Sequence, residues 1–376
     1  MRILFAGQTY GPRNGPGVFT RNLARGLAAA GHEVAVAIPA QPVATSDGVR
    51  IVPVRSISLA PLYRDVFVSI GSRGAAKRLL RDFRPDILHV QDHYPLSRAL
   101  VRAASMPIVA TNHFVPENIG AQTWLGRVGA FNRLSWRFVL DVLNKANVVT
   151  APTRTAAGIL IRNGVTRPVR EISCGVDTRR FTPADVERQW GTGVYVGRLD
   201  RDKDVATLIE AVGMLDNVRL VIIGRGRDEP RLRRMASEQV SFAGFLDDDA
   251  LLERLRSAEF FAIAGRAELQ SIATLEAMAC GLPVVAANAL ALPELVTPDV
   301  NGELFRPGDS AAAAHAIEML SGHRDRWTEM SRSSRRRAEE HDISRTVSAY
   351  EKLYAEILES GADLRARDGV SLGVGA

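Results

Sequence analysis

The chain has 376 residues, of which 46% are hydrophobic and 24% are charged, a balance typical of globular proteins that excludes bulk disorder. At roughly 100–200 residues per domain, this length predicts two domains. The two cysteines, Cys174 and Cys280, exclude a disulfide scaffold and a zinc site built from clustered cysteines. Lys and Arg total 48 against 42 for Asp and Glu, and the net charge of +6 is compatible with phosphorylated ligands or an anionic membrane face.

The N-terminus does not read as a targeting segment. The apolar run from Ile3 to Ala6 is shorter than a signal-peptide core, and no stretch reaches the ~20 apolar residues that span a bilayer. We therefore expect a cytoplasmic protein, and we expect any membrane association to be peripheral, on the inner face of the membrane.

Short apolar runs alternate with amphipathic stretches in the first half of the chain. A helix is predicted over Val18–Ala30, and it ends at Gly31 as a helix stop should. The predicted strands are Arg2–Gly7, Glu33–Ile38, Asp86–Val90, Pro107–Thr111 and Asn147–Ala151. Apolar strands separated by helices are typical of a parallel sheet that is covered on both faces.

The second half repeats this pattern. The predicted strands are Gly193–Gly197, Val218–Gly224, Val240–Ala243, Glu259–Ala264 and Pro283–Ala287, and the clearest helices are Asp204–Leu215, Asp248–Ser257 and Leu275–Gly281. The fold class is therefore α/β with two Rossmann-like, doubly wound domains, residues 1–172 and 173–343, joined near Ser173–Pro183. Because such sheets bind ligands at the carboxyl ends of their strands, we expect the site in a central cleft.

The C-terminal region changes character. The segment His323–Glu340 is rich in arginine, which fits either a solvated helix face or a patch for lipid or nucleic acid. An apolar stripe over Ser344–Leu358 predicts one last helix, residues 344–360, which we expect to cross back to the N-terminal domain. Residues 361–376 are predicted to form a flexible, Gly-rich tail.

Two glutamates frame the strongest candidate site. Glu268 lies in the loop after a predicted strand and before a helix, and Glu276 lies eight residues, about two helical turns, after Glu268. The backbone N–H groups of Ser271 and Ile272 point out of the helix N-terminus, whose partial positive charge suits a phosphate. An ordinary capped helix explains the same spacing, and the sequence leaves both interpretations open.

Arg198 and Lys203 form a second candidate, since they directly follow the predicted strand Gly193–Gly197. A guanidinium fork and an ammonium group are suited to binding a diphosphate. The alternative is a surface loop in which both cations pair with neighbouring aspartates, and the spacing does not decide between the two.

Two weaker candidates come from the first half. Gly15 and Gly17 lie in a glycine-rich segment between the first strand and the first helix, where the backbone can approach a ligand. His113 follows the predicted strand Pro107–Thr111 at the expected cleft edge. The sequence alone does not rank His113 above His89 or His93, because a lone histidine is more often structural.

Together these features resemble the retaining, nucleotide-sugar-dependent glycosyltransferases of family 4, which have the two-domain GT-B fold. The resemblance covers Arg2 to about Leu358. Its most specific part is the Glu-x7-Glu motif at Glu268 and Glu276 with the continuation Glu-Ala-Met-Ala-Cys-Gly-Leu-Pro-Val-Val. The Gly-Arg-Leu segment before Lys203 and the connector Gly-Val-Asp-Thr-Arg-Arg-Phe-Thr-Pro add to it.

The family resemblance implies roles on the donor side. Arg198 and Lys203 would hold the donor diphosphate, together with the amides at Ser271 and Ile272. Glu276 would bind the ribose, and Glu268 would bind hydroxyls of the donor sugar near the reacting carbon.

It implies further roles around the cleft. His113 matches the histidine that lies close to the donor sugar and the acceptor. Gly15 and Gly17 would let the first loop close over the donor phosphate, and Gly224 and Leu246 would approach the nucleoside. No metal and no cofactor are expected, because Arg198 and Lys203 replace the cation.

The sequence departs from the family pattern at three points. Gln270 and Ser271 stand where Phe-Gly is usual, Asp204 stands where Gly is common after the lysine, and Pro16 separates two glycines that are usually adjacent. None of these changes removes a charged group of the proposed site, so we expect an active hexosyltransferase.

The acceptor is predicted less sharply. The run His113–Asn118 and the Glu-Leu-Gln-Ser wording resemble the diacylglycerol glucosyltransferase-like branch, which implies a membrane glycerolipid. The basic, Trp-bearing stretch Gly120–Asn144 fits an anionic membrane interface or a helix packed on the core. The alternative acceptor is a soluble small molecule or a saccharide.

Donor and function class also keep alternatives. A UDP-hexose is favoured over GDP-mannose as donor, and no nucleic-acid partner is expected. A nucleotide-sugar epimerase and a non-catalytic sugar-binding protein remain as rival readings.

Overall fold

The computed structural model describes residues 1–11, 14–40, 48–58, 67–113, 115, 129–321 and 324–370. Strands of the first half are β1 (Arg2–Ala6), β2 (Glu33–Pro39), β3 (Val49–Val54), β4 (Ser56–Ser58), β5 (Phe67–Ser69), β6 (Ile87–Val90), β7 (Ile108–Thr111), β8 (Val148–Ala151) and β9 (Val169–Glu171). Strands of the second half are β10 (Gln189–Val196), β11 (Arg219–Ile223), β12 (Val240–Gly244), β13 (Ala258–Ile263), β14 (Val284–Ala287) and β15 (Gly302–Phe305).

Helices connect these strands and cover both sheets. They are α1 (Gly15–Ala29), α2 (Arg73–Phe83), α3 (Pro95–Ala103), α4 (Gly129–Leu143), α5 (Arg154–Arg162), α6 (Val205–Val212), α7 (Glu229–Met235), α8 (Asp248–Ser257), α9 (Ile272–Ala279), α10 (Ser310–Ser321), α11 (Arg324–Glu339) and α12 (Ile343–Val370).

Two parallel sheets are built from the described strands. The first has the order β3-β2-β1-β6-β7-β8-β9, and the second has the order β12-β11-β10-β13-β14-β15. A small antiparallel pair, β4 and β5, stands beside the first sheet. In each sheet the chain first adds strands in one direction and then in the other. The switch point, where the direction changes, lies between β1 and β6 in the first sheet and between β10 and β13 in the second. The α/β fold with two Rossmann-like domains is confirmed, whereas the boundary at residues 172 and 173 stays a prediction.

Several edge elements were absent from the sequence prediction. The strands β3, β9 and β15 lie at or near sheet edges and contain charged or glycine residues, which weaken an apolar pattern. The helix α1 begins at Gly15, three residues before its predicted start. Asn14 caps it by accepting a hydrogen bond from the N–H of Gly17 at 2.9 Å, and Pro16 is favoured in a first turn.

The C-terminal helix α12 crosses back onto the first sheet's domain. Its buried side chains, Val347, Tyr350 and Tyr354 among them, belong to the apolar cluster that contains Phe19 of α1. A Cβ at Gly26 would come within 2.3 Å of Cγ2 of Val347, so the two helices touch where only glycine fits. Burial of this stripe attaches the last helix to the N-terminal domain.

The end of α12 differs from the prediction. The helix continues to Val370, although a flexible tail was predicted from residue 361. Gly361 costs a helix only about 1 kcal/mol, and good helix formers such as Ala362, Leu364 and Arg365 follow it. Residues 371–376 lie outside the described part of the chain.

The arginine-rich segment forms α11, and much of its charge is used internally. Arg335 donates hydrogen bonds to the carbonyl oxygens of Phe181, Ala279 and Thr178, and Arg337 pairs with Glu340. This agrees best with a structural helix that has a solvated face. None of the helices in the described ranges is long and apolar enough to cross a membrane.

Candidate functional site

The switch point of the second sheet collects the charged residues of the predicted donor site. Arg198 follows β10, and Glu268 follows the neighbouring strand β13, while Lys203 ends a short 3-10 turn, Arg201–Lys203. Ligands of doubly wound sheets bind outside the carboxyl ends of the strands at such a point. The buried Tyr195 fixes the backbone here, since its hydroxyl donates a hydrogen bond to the carbonyl oxygen of Arg198 at 2.9 Å.

Lys203 and Glu268 are in direct contact. Nζ of Lys203 lies 2.6 Å from Oε1 of Glu268 and 3.8 Å from Oδ2 of the buried Asp202. The Arg198 guanidinium contacts Asp200 and lies 3.4 Å from the same Asp202 oxygen. The structure therefore brings Arg198, Lys203 and Glu268 into one charged network. Arg198 and Lys203 also pair with neighbouring aspartates, which is the alternative that the sequence did not exclude.

The position after Lys203 explains one departure from the family pattern. Asp204 adopts φ +48°, a left-handed conformation in which glycine is the least strained residue and aspartate is tolerated. Its carboxylate accepts hydrogen bonds from Arg266 at 2.9 and 2.7 Å. The ion pair with Arg266 holds the strained turn in place without glycine.

A second departure from the family pattern, Gln270 and Ser271, is explained by the contacts of these two side chains. Ser271 is the N-cap of α9, and its side chain accepts a hydrogen bond from the N–H of Thr274 at 3.2 Å. Oε1 of the buried Gln270 accepts the N–H of Cys174 at 2.6 Å. Gln270 thus fastens the loop before α9 to the connector between the sheets, while Ser271 and Ile272 form the helix N-terminus, as predicted.

Glu276 lies about one turn into α9 and is largely buried. Burial raises the pKa of Glu276 to about 8, and the negative charge of the nearby Asp248 raises it further. The positive charges of Arg21 and Arg180 have the opposite effect. Nη1 of Arg21 and Nη1 of Arg180 lie 3.5 and 3.4 Å from Oδ2 of Asp248. Arg21 belongs to α1, so this cluster joins the two halves of the chain. Sequence reasoning missed Arg21, Arg180 and Asp248, because no motif links them to Glu276.

Three glycine-bearing loops meet beside this network. A Cβ at Gly224, which has φ +135°, would lie 1.9 Å from the carbonyl oxygen of Gly197, and its N–H donates to the carbonyl oxygen of Gly244 at 2.7 Å. Leu246, two residues further on, is partly buried against the core of the second domain. Of the predicted nucleoside residues, Gly224 therefore lies against the carboxyl end of β10, and Leu246 follows β12, two strands away.

The two glycines of the first segment differ in their surroundings. A Cβ at Gly17 would meet the carbonyl oxygen of Gly11 at 2.8 Å, whereas a Cβ at Gly15 would meet nothing within 4 Å. Both residues lie in the first turn of α1 rather than in a free loop, which corrects the predicted placement. A loop that closes over the donor would have to begin before Asn14.

The structure separates the three histidines. His89 is fully buried and contacts the Tyr354 hydroxyl and the Thr111 hydroxyl, both at 2.6 Å, so it is a core residue. His113 is partly exposed at the end of β7, where Nε2 lies 2.9 Å from Oε1 of Gln91 and the ring packs on Phe19. Burial lowers the pKa of His113 to about 4, so it is neutral at pH 7.

Part of the predicted acceptor region is not described. Phe114, residues 116–118 and the first nine residues of Gly120–Asn144 lie outside the described residues. The remainder of that stretch forms α4, which exposes Leu134 and Phe138. Among the described residues, no three His, Cys, Asp or Glu side chains are grouped so that they could hold a metal ion.

Comparison with known proteins assigns the family. Residues 13–180 match Glycosyltransferase Family 4, and residues 191–323 match Glycosyl transferases group 1. The chain is 31% identical over 363 residues to a GDP-mannose-dependent alpha-(1-6)-phosphatidylinositol dimannoside mannosyltransferase of Mycobacterium tuberculosis, covering 90% of this chain and 92% of that protein. The chain belongs to glycosyltransferase family 4. The resemblance read from the Glu-x7-Glu motif is therefore confirmed.

A second relative of this family 4 glycosyltransferase is a plant enzyme. The chain is 26% identical over 316 residues to a sulfoquinovosyl transferase of Arabidopsis thaliana, covering 78% of this chain and 61% of that protein. The chain thus spans less than two thirds of that relative's length.

Solved structures agree on the GT-B fold. A sucrose-phosphate synthase from Thermosynechococcus elongatus superposes with a TM-score of 0.83 at 19% identity, covering 95% of this chain and 99% of that one. The Anabaena HepE protein in complex with UDP and glucose gives 0.79 at 19% identity, covering 95% and 100%. The protein is thus a glycosyltransferase that transfers a sugar from a nucleotide sugar.

Proposed function

We propose that this family 4 enzyme is a retaining, metal-independent hexosyltransferase whose acceptor is a hydroxyl of a membrane lipid. The observation that carries the donor side is the network of Arg198, Lys203 and Glu268 at the switch point of the second sheet. A retained configuration in the product and activity that persists in a chelator would support it. An inverted product would contradict the retaining mechanism.

The cations act on the leaving diphosphate. When the bond to the sugar breaks, charge builds up on the diphosphate, and Lys203 and the N-terminus of α9 stabilise that charge more than they stabilise the ground state. Arg198 joins them by exchanging its contact with Asp200 for one with phosphate. Their combined charge takes the place of a metal ion in this proposal.

Glu268 and His113 act on the sugar rather than on the phosphates. Glu268 is held by Lys203 at 2.6 Å, so its carboxylate serves as a fixed acceptor for sugar hydroxyls and not as a free nucleophile. His113 is neutral and hydrogen-bonded to Gln91, and it orients the donor sugar beside the acceptor. Retention then follows from attack on the face that the diphosphate leaves, with a donor phosphate oxygen taking the proton.

Glu276 and the glycine-bearing loops bind the nucleoside. Glu276 accepts hydrogen bonds from the ribose, and Gly224 and Leu246 lie against the base. Gly17 keeps the first turn of α1 close to Gly11, and Gly15 faces open space where the donor phosphates can approach.

Two donors are supported by different observations. The motif wording favours a UDP-hexose, and a structural neighbour was solved with UDP and glucose. GDP-mannose is the second candidate, because the relative with 31% identity over most of both chains is GDP-mannose-dependent. A thermal-shift panel with UDP, GDP, ADP and their hexose derivatives decides, since a ligand that binds the native state raises the melting temperature.

The lipid acceptor is supported by the relatives and by the surface of the N-terminal domain. One relative is named for a phosphatidylinositol dimannoside, and another for sulfoquinovosyl transfer. On α4, Leu134 and Phe138 are 51% and 43% exposed, and each follows an exposed arginine, Arg133 or Arg137. An apolar and basic face of this kind suits the anionic inner surface of a membrane.

Co-sedimentation with anionic vesicles tests the membrane part. Binding at low salt that weakens as the salt concentration rises supports it, and Leu134→Ser combined with Phe138→Ser should reduce it. No binding at low salt would leave a soluble acceptor as the better proposal. Nucleoside diphosphate release from the donor separates a transferase from a non-catalytic sugar-binding protein. An epimerase would interconvert the sugar instead.

A further inference from the structure

The switch point of the first sheet carries a set of partly or fully buried polar side chains. Gln8 lies just beyond β1, Gln91 and Asp92 follow β6, and His113 lies just beyond β7. These three strands are neighbours in the sheet, so their carboxyl ends meet at one edge. By the rule that places ligands at such edges, this set faces the half of the cleft opposite the donor.

Three atoms of this set are buried without a hydrogen-bond partner among the described residues: Nε2 of Gln91, Oδ2 of Asp92 and Oε1 of Gln8. The Gln91 side chain is only 5% exposed in total, and its Oε1 is occupied by Nε2 of His113 at 2.9 Å. Nε2 of Gln8 donates to the hydroxyl of Ser69 at 3.0 Å. Each side chain is thus fixed by one atom and leaves its other polar atom unpaired.

Unpaired buried atoms of this kind need an explanation. Leaving a donor or acceptor buried and unsatisfied is unfavourable, so most such groups in proteins are paired. Here one hydrogen-bond donor and two acceptors remain unpaired at one sheet edge. This combination matches a ligand that carries several hydroxyl groups. A hydroxyl both donates and accepts, and neighbouring hydroxyls can satisfy all three atoms.

We propose that Gln91 and Asp92 bind the acceptor of the transfer reaction, with Nε2 of Gln91 donating to an acceptor hydroxyl and Oδ2 of Asp92 accepting from one. Gln8 accepts from a neighbouring hydroxyl, so the acceptor class is a polyol headgroup such as glycerol or a cyclitol. This inference rests on the proposed glycosyltransferase function. Gln91 also joins the acceptor to His113, which orients the donor sugar.

A groove beside these residues gives the rest of the acceptor a place. It has a volume of about 800 Å³, and its lining includes His93 and Tyr94, which directly follow Asp92, and three arginines, Arg73, Arg98 and Arg102. Arg98 and Arg102 share the carboxylate of Asp141 at 2.8 and 2.7 Å, so positive charge is in excess there. A phosphate next to the polyol would be accommodated in this groove.

Asp92 also makes structural contacts through its other oxygen, and the experiment must distinguish the loss of these contacts from the loss of acceptor binding. Its Oδ1 accepts the N–H of Tyr94 at 3.0 Å and the hydroxyl of Ser97 at 2.7 Å at the start of α3. Burial raises the pKa of Asp92 to about 6. The hydrogen bonds from Ser97 and from the backbone of Tyr94 and Gln8 lower the pKa, but by less than burial raises it. Asp92→Asn keeps an oxygen for Tyr94 and Ser97 and replaces the unpaired acceptor by an amide. Ser97→Ala is the matched control, because it removes only the structural contact.

The experiment measures donor hydrolysis without acceptor, and transfer to phosphatidylinositol and phosphatidylglycerol vesicles. We expect Asp92→Asn to raise the acceptor KM at least tenfold and to leave donor hydrolysis within twofold, while Ser97→Ala changes neither. An unchanged acceptor KM, or an equal fall in hydrolysis and transfer, overturns the proposal. Saturation-transfer NMR with free glycerol and myo-inositol reads binding without turnover. If the wild type releases no nucleotide, the proposed function fails, and loss or retention of this NMR signal in Asp92→Asn still decides the inference.

Discussion

The hydroxyl of Thr153 donates a hydrogen bond to the carbonyl oxygen of Leu269 at 2.8 Å, and so the N-terminal domain holds the loop between Glu268 and α9. Leu269 itself packs in the core of the first sheet, and Ile272 packs in the cluster that contains Phe19. The helix end that is proposed to bind phosphate is therefore positioned by both domains. A change in domain arrangement would move the donor site, which links closure to donor binding.

Lys203 is expected to act on turnover. Lys203→Ala should lower kcat at least tenfold, because one lost donor to a developing anion typically costs about 100–1,000-fold in rate. Release of nucleoside diphosphate measures the effect. Lys352→Ala, which changes an exposed lysine on α12, is the matched control and should behave as wild type. Normal turnover in the Lys203 variant would refute its assigned role.

Glu276 is expected to lower stability as the pH rises. Its pKa is raised to about 8 by burial, so the folded state holds a proton that the unfolded chain releases near pH 4.5. Stability is therefore lost between about pH 4.5 and 8. Glu276→Gln should be more stable than the wild type at pH 8 by about 2–4 kcal/mol, since a pKa difference of one unit between the folded and unfolded states corresponds to about 1.4 kcal/mol, and the difference should vanish near pH 4.

The same Glu276→Gln variant should bind the nucleotide more weakly above about pH 8, because an amide then replaces an ionised carboxylate that accepts ribose hydrogen bonds. Denaturant unfolding at several pH values and nucleotide titration provide the two measurements. If the difference in stability between Glu276→Gln and the wild type is the same at every pH, the pKa of Glu276 is not raised in the folded state.

Gly15 and Gly17 form a matched pair. Gly17→Ala places a methyl group 2.8 Å from the carbonyl oxygen of Gly11, so we expect a shifted first turn and a loss of about 1–3 kcal/mol of stability. Gly15→Ala meets open space and should keep the wild-type stability. Thermal unfolding checks both. Gly15→Ala should also weaken donor binding, because Gly15 is proposed to face the donor phosphates. Unchanged donor binding in this variant would contradict that role.

His89 and His113 are expected to respond differently. His89→Ala leaves a cavity and an unpaired hydroxyl at Tyr354, and it should cost about 2–5 kcal/mol and loosen α12, detected by limited proteolysis. His113→Ala should lower the transfer rate with little loss of stability. Equal destabilisation by the two substitutions would contradict the assignment of His113 to the site.

The placement of Arg198, Lys203 and Glu268 beside one another agrees with the sequence prediction, while their roles in donor binding stay predictions. The distance from Glu268 to Glu276 is fixed by one loop and one helix, and Arg198 and Lys203 follow a single strand, so local spacing was enough. The unusual residues were harder to interpret. That Ser271 caps α9, that Gln270 reaches Cys174 and that Asp204 is held by Arg266 became visible only when distant segments met.

The alternation of strands and helices, the two parallel sheets and the donor motif could be predicted from the sequence alone, because apolar periodicity and short-range spacing encode them directly; the edge strands could not. Tertiary structure decided that His89 is buried in the core whereas His113 is partly exposed, that Arg21 and Asp248 meet beside Glu276, and that Gln91 and Asp92 present unpaired atoms at one sheet edge. These relationships join residues far apart in the chain. They depend on how the sheets and α12 pack, and no local pattern records that packing.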